Sequence, residues 1–317
     1  MKKSKKRLIL GILLLLVVVV CVYVYRVYDS LNSLSSHAEE VSGTTEWKGK
    51  DRVNILLLGG DSRDSGKDQN PRADTLMIAS VNPVDKSIVL FSVLRDTYVS
   101  IPDHGKGKIN AALAYGGPSL AIQTVSELLD IPIHYYVYTD FQGFMSLIDA
   151  VGGVTLDVEK DMDYEDAADG HKFDIHLKKG VQELDGKTAL QYVRFRHDAL
   201  SDLSRTERQR KLITAVTEKL QNASSLVKLP GIIKSVSPYV TTNMEPSDML
   251  KLGKLGYDAK GNGIRSVQLP PTNLIKNIRT KSGAALSADP AALQGFVSST
   301  LEQADQKASA DGETGGK

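Results

Sequence analysis

Apolar and polar residues follow one another along the chain in a pattern that predicts both strands and helices. Continuous apolar runs bounded by turn residues indicate buried strands, and three of them follow closely on one another early in the chain. The predicted strands are Val53–Gly60, Leu76–Val81, Ser87–Leu94, Ile133–Tyr138, Val154–Val158 and, at a sheet edge, Ile264–Leu269.

Between these runs, apolar residues recur at helical spacing. The predicted helices are Pro118–Asp130, Phe141–Val151, a short one within Gly180–Tyr192, Ser204 to about Ala223, Leu226–Val240 and Asp248–Tyr257. Because strands and helices are mixed throughout, we expect an α/β (α+β) fold, with a central mixed β-sheet covered by helices. The acidic stretch Asp161–Gly170 is predicted to be a loop.

The N-terminus is predicted to cross a membrane once. Leu8–Tyr25 carries no charge and, at about 1.5 Å per residue, nearly spans a hydrocarbon core of about 30 Å. Basic residues between positions 2 and 7 predict a cytoplasmic N-terminus and an extracellular remainder, so the protein is expected in the cell membrane. A cleaved signal peptide is the less favoured alternative, because its apolar region is shorter and no small-x-small site follows.

These features divide the chain into segments. The predicted segments are a cytoplasmic tail (1–7), a transmembrane helix (8–25), a stalk or early helix (26–50), a main domain (51–223), a helical and strand extension of the same domain (224–305) and a disordered tail (306–317).

Composition excludes several functional classes. Lys and Arg number 39 against 38 Asp and Glu, which argues against a general nucleic-acid binder. The single cysteine, Cys21, lies in the predicted anchor, so the exported part has neither a disulfide nor a cysteine-based zinc or iron site.

The stretch Tyr192–Arg210 is rich in arginine and has two readings. A charge run is usually a solvated helix face, whereas arginine forks also match phosphate oxygens. Ser204 and Glu207 form a capping box, which predicts that a helix begins at Ser204 as its N-cap. On this helix an apolar stripe faces the core and consists of Leu212, Ile213, Val216 and Leu220.

Two polar residues, Arg205 and Gln209, lie on that apolar stripe and therefore need a partner. The first turn of a helix favours phosphate, which makes an anion the preferred partner. An internal ion pair of Arg205 with Asp198 or Asp202 is the alternative. Arg208 lies at the stripe's edge, while Arg210 and Lys211 are expected in solvent. Arg194 and Arg196, two residues apart, are expected to project to one side of an extended segment.

Charged residues also flank the three early strands. Asp61 and Arg63 follow the first, Arg72 and Asp74 precede the second, and Arg95 and Asp96 follow the third. Strand ends are common ligand sites, and carboxylates together with substrate phosphates suit Mg²⁺. A lone aspartate after a turn is more often a cap, so the neighbouring arginines decide the interpretation. Lys108, before a helix, adds a weaker candidate for phosphate binding.

These residues belong to a series of motifs with a known counterpart. The chain contains, in order, NILLLGGDSRD, RADTLMIASVNP, FSVLRDTYVSIP, KINAALAYGGP, IPIHYYVYTDFQGF, DAVGGVTLDV and YVRFRH…SRTERQRK. From about Asp51 to Leu220 they resemble the LytR-CpsA-Psr family, and YVTTNMEPSDML resembles its teichoic acid transferase members.

The resemblance implies an extracellular phosphotransferase of Gram-positive envelopes, with 51–223 as its catalytic domain. Such enzymes move a glycopolymer, teichoic acid or capsule-like, with one phosphate. The donor is an undecaprenyl pyrophosphate carrier in the membrane lipids, and the acceptor is the 6-hydroxyl of N-acetylmuramic acid in peptidoglycan. Mg²⁺ or Mn²⁺ is the implied cofactor, and no nucleic acid is involved.

Carried over by position, the resemblance also implies residue roles. The implied metal ligands are Asp61 and Asp74. The implied pyrophosphate-binding residues are Arg72, Arg95, Lys108, Arg194, Arg196, Arg205 and Gln209, with Arg63 and Arg208 weaker. Arg95, Asp96 and Arg196 are the implied catalytic residues, and Asp96 or Asp202 is the candidate proton acceptor.

Three positions depart from the family pattern. Residues 201–205 read Ser-Asp-Leu-Ser-Arg where Gly-Asp-x-Gly-Arg is common, Ala111 replaces a frequent histidine, and Gly60 replaces a branched apolar residue. Two other functions remain as alternatives. One is a polyprenyl-phosphate-binding protein without turnover; the other, a transcriptional regulator, is disfavoured because the basic segment is predicted outside the cell.

Overall fold

The fold is built around one six-stranded sheet. A computed structural model describes residues 2–36, 41–60, 71–165, 171, 174–196 and 202–314. The strands are β1 (Val53–Gly60), β2 (Ala73–Val81), β3 (Ile88–Val93), β4 (Tyr98–Ile101), β5 (Gly105–Lys108), β6 (Tyr135–Asp140), β7 (Val154–Val158), β8 (Met162–Tyr164), β9 (Ile175–Leu177), β10 (Gly180–Leu184), β11 (Val240–Thr242), β12 (Ile264–Leu269), β13 (Lys276–Thr280) and β14 (Gly283–Ser287).

Helices cover the sheet and extend from it. They are α1 (Lys2–Ser35), α2 (Ala111–Leu129), α3 (Phe141–Ala150), α4 (Gly186–Arg194), α5 (Asp202–Leu220), α6 (Ala223–Val236), α7 (Pro246–Asp258) and α8 (Pro290–Thr314). A single turn of 3₁₀-helix, Ser237–Tyr239, joins α6 to β11.

The strand order is β11-β6-β1-β2-β3-β12. β1, β2 and β3 are antiparallel neighbours, β6 is parallel to β1 and β12 is parallel to β3. The expected mixed sheet covered by helices is therefore confirmed, and Ile264–Leu269 is an edge strand as predicted. β1, β3, β6 and β12 all end at the same end of this sheet, which we call the site end; the opposite one is the far end.

One face of the sheet, the closed face, is fully covered by α2 and α8. Leu56 and Leu58 of β1 are only 0% and 2% exposed there, and Phe91 of β3 is completely buried. From the helices, Ile122 and Val297 complete this core. Alternate residues of the strands supply these side chains, as expected for a sheet with one apolar face.

The other face, the open face, is covered less completely. Ile55 and Leu57 alternate with the buried leucines of β1 and remain half-buried, although β1 lies in the middle of the sheet. A second apolar cluster lies on this side, formed by α3, α4, α5 and the small two-stranded sheets β7–β10 and β8–β9. This cluster contains no residue of the six-stranded sheet among those described, so the two layers are built as separate cores.

Several elements differ from the sequence prediction. Asp161–Gly170 is not simply a loop, because Met162–Tyr164 pairs with Ile175–Leu177. The helix predicted from Pro118 begins at Ala111 and is kinked at Gly116 and Gly117. Residues from 306 were expected to be disordered, yet α8 continues to Thr314, since a helix already anchored in the core propagates with little further cost.

The N-terminal helix α1 contains one stretch, Val17–Ser35, that is long and apolar enough to cross a membrane. Its last turns leave the predicted anchor and pack on the domain, where Val27 and Leu31 contact Ile233 of α6. The region predicted as a stalk is thus helical to Ser35, and farther along Trp47 packs beside the start of β1.

Candidate functional site

The predicted convergence of charged residues at one end of the sheet is observed for the strands that the structure describes. β1 ends there at Gly60, β2 begins opposite it at Ala73, and β3 ends there at Val93. Asp74 and Arg95 are therefore neighbours in space, although 21 residues separate them in sequence. Asp61 and Arg63 lie outside the described residues.

Asp74 lies at an irregularity in the sheet. Gly59 pairs with Thr75 and Gly60 with Ala73, so Asp74 is an extra residue between two paired ones. Such a β-bulge re-aims a side chain and is common beside active sites. The bulge lies at the site end, where the Asp74 carboxylate contacts Arg95.

Four charged side chains form a connected network at this end. Arg95 Nη1 lies 2.5 Å from Asp74 Oδ1, and Arg95 Nε lies 3.8 Å from Asp96 Oδ2. Lys108 Nζ lies 2.7 Å from Asp96 Oδ1. All four side chains are between 20% and 28% exposed, so each keeps access to a ligand. The network alternates acids and bases, and an added phosphate has two cations within reach.

Backbone hydrogen bonds hold this network in place. The β4–β5 hairpin turns the chain back so that Lys108 pairs with Tyr98, next to the end of β3. The Asn110 N–H then donates to the Arg95 carbonyl at 3.3 Å, and the Ala73 N–H donates to the Asn110 carbonyl at 3.2 Å. The segment after β5 thus ties the exit of β3 to the entrance of β2, which supports the weaker sequence signal at Lys108.

Helix α5 approaches the same end with its first turns. Gln209 Nε2 donates to the Oγ1 of Thr75 at 3.0 Å, and Thr75 directly follows Asp74. Arg205, one turn earlier on α5, is only 4% exposed. The inward orientation predicted for Arg205 and Gln209 is observed, whereas Ser204 is not the N-cap, because α5 already begins at Asp202.

Thr75 was not identified from the sequence. A threonine within an apolar strand is an ordinary residue there, and nothing nearby in sequence points to Gln209. Opposite it, a Cβ on Gly59 would lie 3.0 Å from the Thr75 Cβ, so the glycine makes room for this contact. The second glycine, Gly60, is equally constrained, since its added Cβ would lie 3.0 Å from the Tyr138 ring. Gly60, where the family commonly has a branched apolar residue, therefore leaves room for the bulky ring of Tyr138.

Arg208 has a structural partner. Its Nε lies 2.6 Å from Glu159 Oε1, its Nη1 donates to the Phe195 carbonyl at 2.8 Å, and the residue is 1% exposed. The position of Arg208 at the edge of the stripe predicted too little burial for it. Its side chain is buried because β7 and α4 cover that side of α5. Burial raises the pKa of the Glu159 carboxyl, but its backbone and Arg208 hydrogen bonds outweigh this and leave the pKa below its ordinary value.

The expectation that Arg210 and Lys211 point into solvent is half right. Lys211 is exposed and pairs with Glu207 one turn away. Arg210, in contrast, is half-buried, and its Nη1 is buried without a hydrogen bond to any described residue. Burial lowers the pKa of its guanidinium, because that side of α5 packs towards β3 and β12.

The remaining arginines are arranged differently from the prediction. Arg194 is the last residue of α4 and not part of an extended segment with Arg196. Its guanidinium lies 5.2 Å from the ring centre of Phe141, which follows β6 and so belongs to the site end. Arg196 and Arg72 are exposed. Arg194 thus approaches the site end. Among the described residues, no contact is seen between Arg196 or Arg72 and the charged network.

The oxygen ligand atoms at the site end are of the chemical type that binds a divalent cation. Asp74 offers a partly exposed carboxylate beside two cations that would hold phosphates, and Mg²⁺ typically uses one or two carboxylates together with substrate oxygens. No group of three or more acidic, histidine or cysteine side chains that could hold a metal ion occurs among the described residues. Asp61, the other implied ligand, lies outside those residues.

A cavity of about 220 Å³ lies at the far end of the sheet, lined by Ile88, Thr217, Gln221 and Ile264 among others. Ile88 and Ile264 begin their strands, so the length of the sheet separates this cavity from Asp74 and Arg95. It is not part of the candidate site.

Comparison with known proteins assigns the chain to a family. The model of the LytR_cpsA_psr family matches residues 20–291. The chain belongs to the LytR-CpsA-Psr family. This membership confirms the resemblance drawn from the ordered motifs.

Relatives in this family carry two kinds of name. Over 230 residues, the chain is 38% identical to the polyisoprenyl-teichoic acid–peptidoglycan teichoic acid transferase TagU of Enterococcus faecalis, covering 72% of this chain and 73% of that one. Over 275 residues, it is 35% identical to the regulatory protein MsrR of Staphylococcus aureus, covering 84% and 80%.

Among solved structures, the LytR-CPS2A-psr family protein YwtF (TagT) with bound octaprenyl pyrophosphate lipid matches with a TM-score of 0.61 at 28% identity. The match covers 85% of this chain and 98% of that one. A family member of the same fold thus binds a polyprenyl pyrophosphate.

Proposed function

We propose that the protein transfers a glycopolymer, with one phosphate, from undecaprenyl pyrophosphate to the C6 hydroxyl of N-acetylmuramic acid in peptidoglycan. The network of Asp74, Arg95, Asp96 and Lys108 at the site end carries this proposal, because it combines a hard-metal ligand with cations suited to a diphosphate. Family membership and the relatives named as teichoic acid transferases support the same reaction class. The protein is proposed to act outside the cell, with α1 as an uncleaved single-pass anchor.

The open face of the sheet supports an amphiphilic donor. Leu57 is half-buried at the centre of the sheet and belongs to none of the apolar clusters formed by the described residues. Val137, its neighbour on β6, is also half-buried. An apolar strip between two separately packed layers suits a prenyl chain, whose pyrophosphate would lie at the site end.

The residues at the site end would act mainly by positioning and by charge stabilisation, as phosphoryl transfer requires. Arg95 and Lys108 would hold non-bridging phosphate oxygens, with Arg205 and Gln209 on α5 closing the opposite side. Arg72, Arg194 and Arg196 are proposed to add positive charge around the head group. Asp74, together with Asp61, would hold Mg²⁺ or Mn²⁺, and the ion would supply charge neutralisation for the two phosphates.

In the proposed reaction, the acceptor hydroxyl oxygen attacks the phosphorus that bears the glycan. The bond between that phosphorus and the bridging oxygen breaks, and prenyl monophosphate leaves with the bridging oxygen. The hydroxyl proton passes to Asp96 or Asp202, the two candidate acceptors. Lys108 Nζ lies 2.7 Å from Asp96 Oδ1, and this ion pair can orient the Asp96 carboxylate.

The test is transfer of a labelled, lipid-linked glycan to peptidoglycan fragments. We expect Arg95→Ala and Asp74→Asn each to lower the rate at least ~100-fold, the usual cost of removing one stabilising group for developing charge. Circular dichroism should show that the fold is retained. Arg265→Ala is the matched control, because it removes a guanidinium at the far end of the sheet and should keep near-normal turnover.

The same assay separates the enzyme from a lipid carrier. A carrier would bind the labelled donor, release no prenyl monophosphate and be indifferent to EDTA. Normal turnover by both site variants would contradict the proposed site, and donor binding without any turnover by the unaltered protein would contradict the proposed reaction.

A further inference from the structure

The anchor helix α1 makes specific contacts with α6 from the outer end of the predicted membrane segment onward. The Tyr23 hydroxyl donates to the Leu226 carbonyl at 2.5 Å, and Ser33 Oγ lies 3.1 Å from Ser237 Oγ. Between these contacts, Val27 and Leu31 pack against Ile233. The membrane segment and the domain are therefore joined by a packed helix pair rather than by a flexible link.

These two contacts also fix the relative direction of the helices. The contacting positions are ten residues apart on α1, and eleven residues separate Leu226 of α6 from Ser237, directly after the last residue of α6; both pairs advance towards the C-terminus. The helices consequently run parallel, and the N-terminal end of α6 points back towards the membrane. Ala223 lies about 4.5 Å closer to the membrane than Leu226, at about 1.5 Å per residue.

The direction of α6 determines how the sheet is oriented. The C-terminal end of α6 leads through the 3₁₀ turn to Val240, which pairs with Thr139 next to the site end. Helix α5 runs from Gln209 at the site end to Gln221, whose side chain donates to the Gly256 carbonyl and which lines the far-end cavity. The far end thus faces the membrane, and the site lies about 18 Å above it, the length of that part of α5.

The membrane-facing surface has the composition of a shallow interfacial contact. We define the α6 foot as Ala223–Lys228, the first turns of α6. Its Val227 is 74% exposed and the adjacent Lys228 is also exposed. Tyr25 of α1, two residues beyond the Tyr23 contact, is 68% exposed. Apolar, aromatic and basic side chains at one level are typical of segments that rest about 5–10 Å into the headgroup and acyl boundary.

We propose that the α6 foot docks into the outer leaflet of the bilayer that holds α1, so that the domain stands with its far end on the membrane and its basic site turned away. Val227 enters the acyl boundary, and Lys228 contacts lipid phosphates. The inference rests on the proposed anchor and extends the proposed function: the donor's prenyl chain would reach the site from a bilayer that lies beneath the far end of the sheet.

The test measures the depth of single labelled positions in the full-length protein. In a Cys21→Ser background, Val227→Cys is labelled with an environment-sensitive NBD fluorophore and reconstituted into phosphatidylglycerol–phosphatidylethanolamine vesicles. Val181→Cys is the matched control, because this valine of β10 is 73% exposed and lies beside β7 near the level of Arg208. Doxyl-labelled lipids quench only fluorophores within the bilayer.

We expect a blue-shifted emission and strong quenching by shallow doxyl lipids at position 227, with neither at position 181. Equal, water-like emission at both positions would overturn the docking, as would a protein that fails to associate with the vesicles. Transfer activity is measured on the same samples. Quenching without transfer would leave the docking intact and refute the reaction, whereas transfer without quenching would do the reverse.

Discussion

The two faces of the central sheet are made by the same strands but are covered to different degrees at β1. On the closed face, Leu56 and Leu58 are almost completely buried by α2 and α8. On the open face, Leu57 between them stays half-buried under a layer that has its own core. A buried central strand normally contributes to stability on both sides. The open face also contributes buried residues, Met77 and Leu90, so the difference is local to β1, where the proposed lipid strip lies.

Adjacent leucines of β1 offer the sharpest test of this difference. We expect Leu56→Ala to lower the free energy of unfolding by about 2–5 kcal/mol, because it leaves a cavity in a packed core. Leu57→Ala should cost roughly 1 kcal/mol, because the side chain is already partly exposed and the change removes little buried area. Denaturant unfolding of the detergent-solubilised protein measures both. Equal losses would mean that the two faces are packed alike.

Filling the open face should affect binding more than folding. We expect Leu57→Trp to weaken binding of octaprenyl pyrophosphate about tenfold or more, equivalent to about 1.4 kcal/mol, because the indole occupies the space proposed for the prenyl chain. Val181→Trp, at an exposed position of β10, is the control for added aromatic surface. Unchanged binding by the Leu57 variant would place the lipid elsewhere.

The smallest expected effect concerns the layer over the open face, where Glu159 pairs with Arg208. The folded-state pKa of Glu159 is lowered, so its stabilising contribution is present above the unfolded pKa and is lost as the pH falls through the folded value, below 4.5. We expect the unaltered protein to lose more stability on acidification than Glu159→Gln. The effect is small because the carboxylate is partly exposed. Parallel pH profiles would contradict it.

The sequence predicted the strands of the central sheet because each is a continuous apolar run closed by glycine or proline. It also predicted that charges following β1 and β3 and preceding β2 meet at one end. It did not predict the bulge at Asp74, which depends on the pairing of Gly59 and Gly60 with the next strand. Pairing of this kind is decided by the whole sheet rather than by the local sequence.

Contacts between side chains that are distant in sequence could not be predicted either. Nothing around Arg208 indicated Glu159, 49 residues earlier, and helical spacing alone gave no reason to bury Arg210. Short elements were missed for a related reason: the β4–β5 hairpin has only four residues in each strand, too few for a recognisable alternation. That hairpin nevertheless positions Lys108.

The C-terminal helix α8 has a consequence for how the protein comes to maturity. Leu293 and Val297 complete the closed face, and Asp305 accepts hydrogen bonds from Arg52, just before β1, and from Asn82 and Ser87. When a chain is translocated in the order of its sequence, β1 therefore emerges long before α8, the helix that completes the core around it. With the extracellular topology proposed above, export of the nascent chain must finish before the domain can close, and a fragment that stops before residue 290 would lack the helix that buries the closed face.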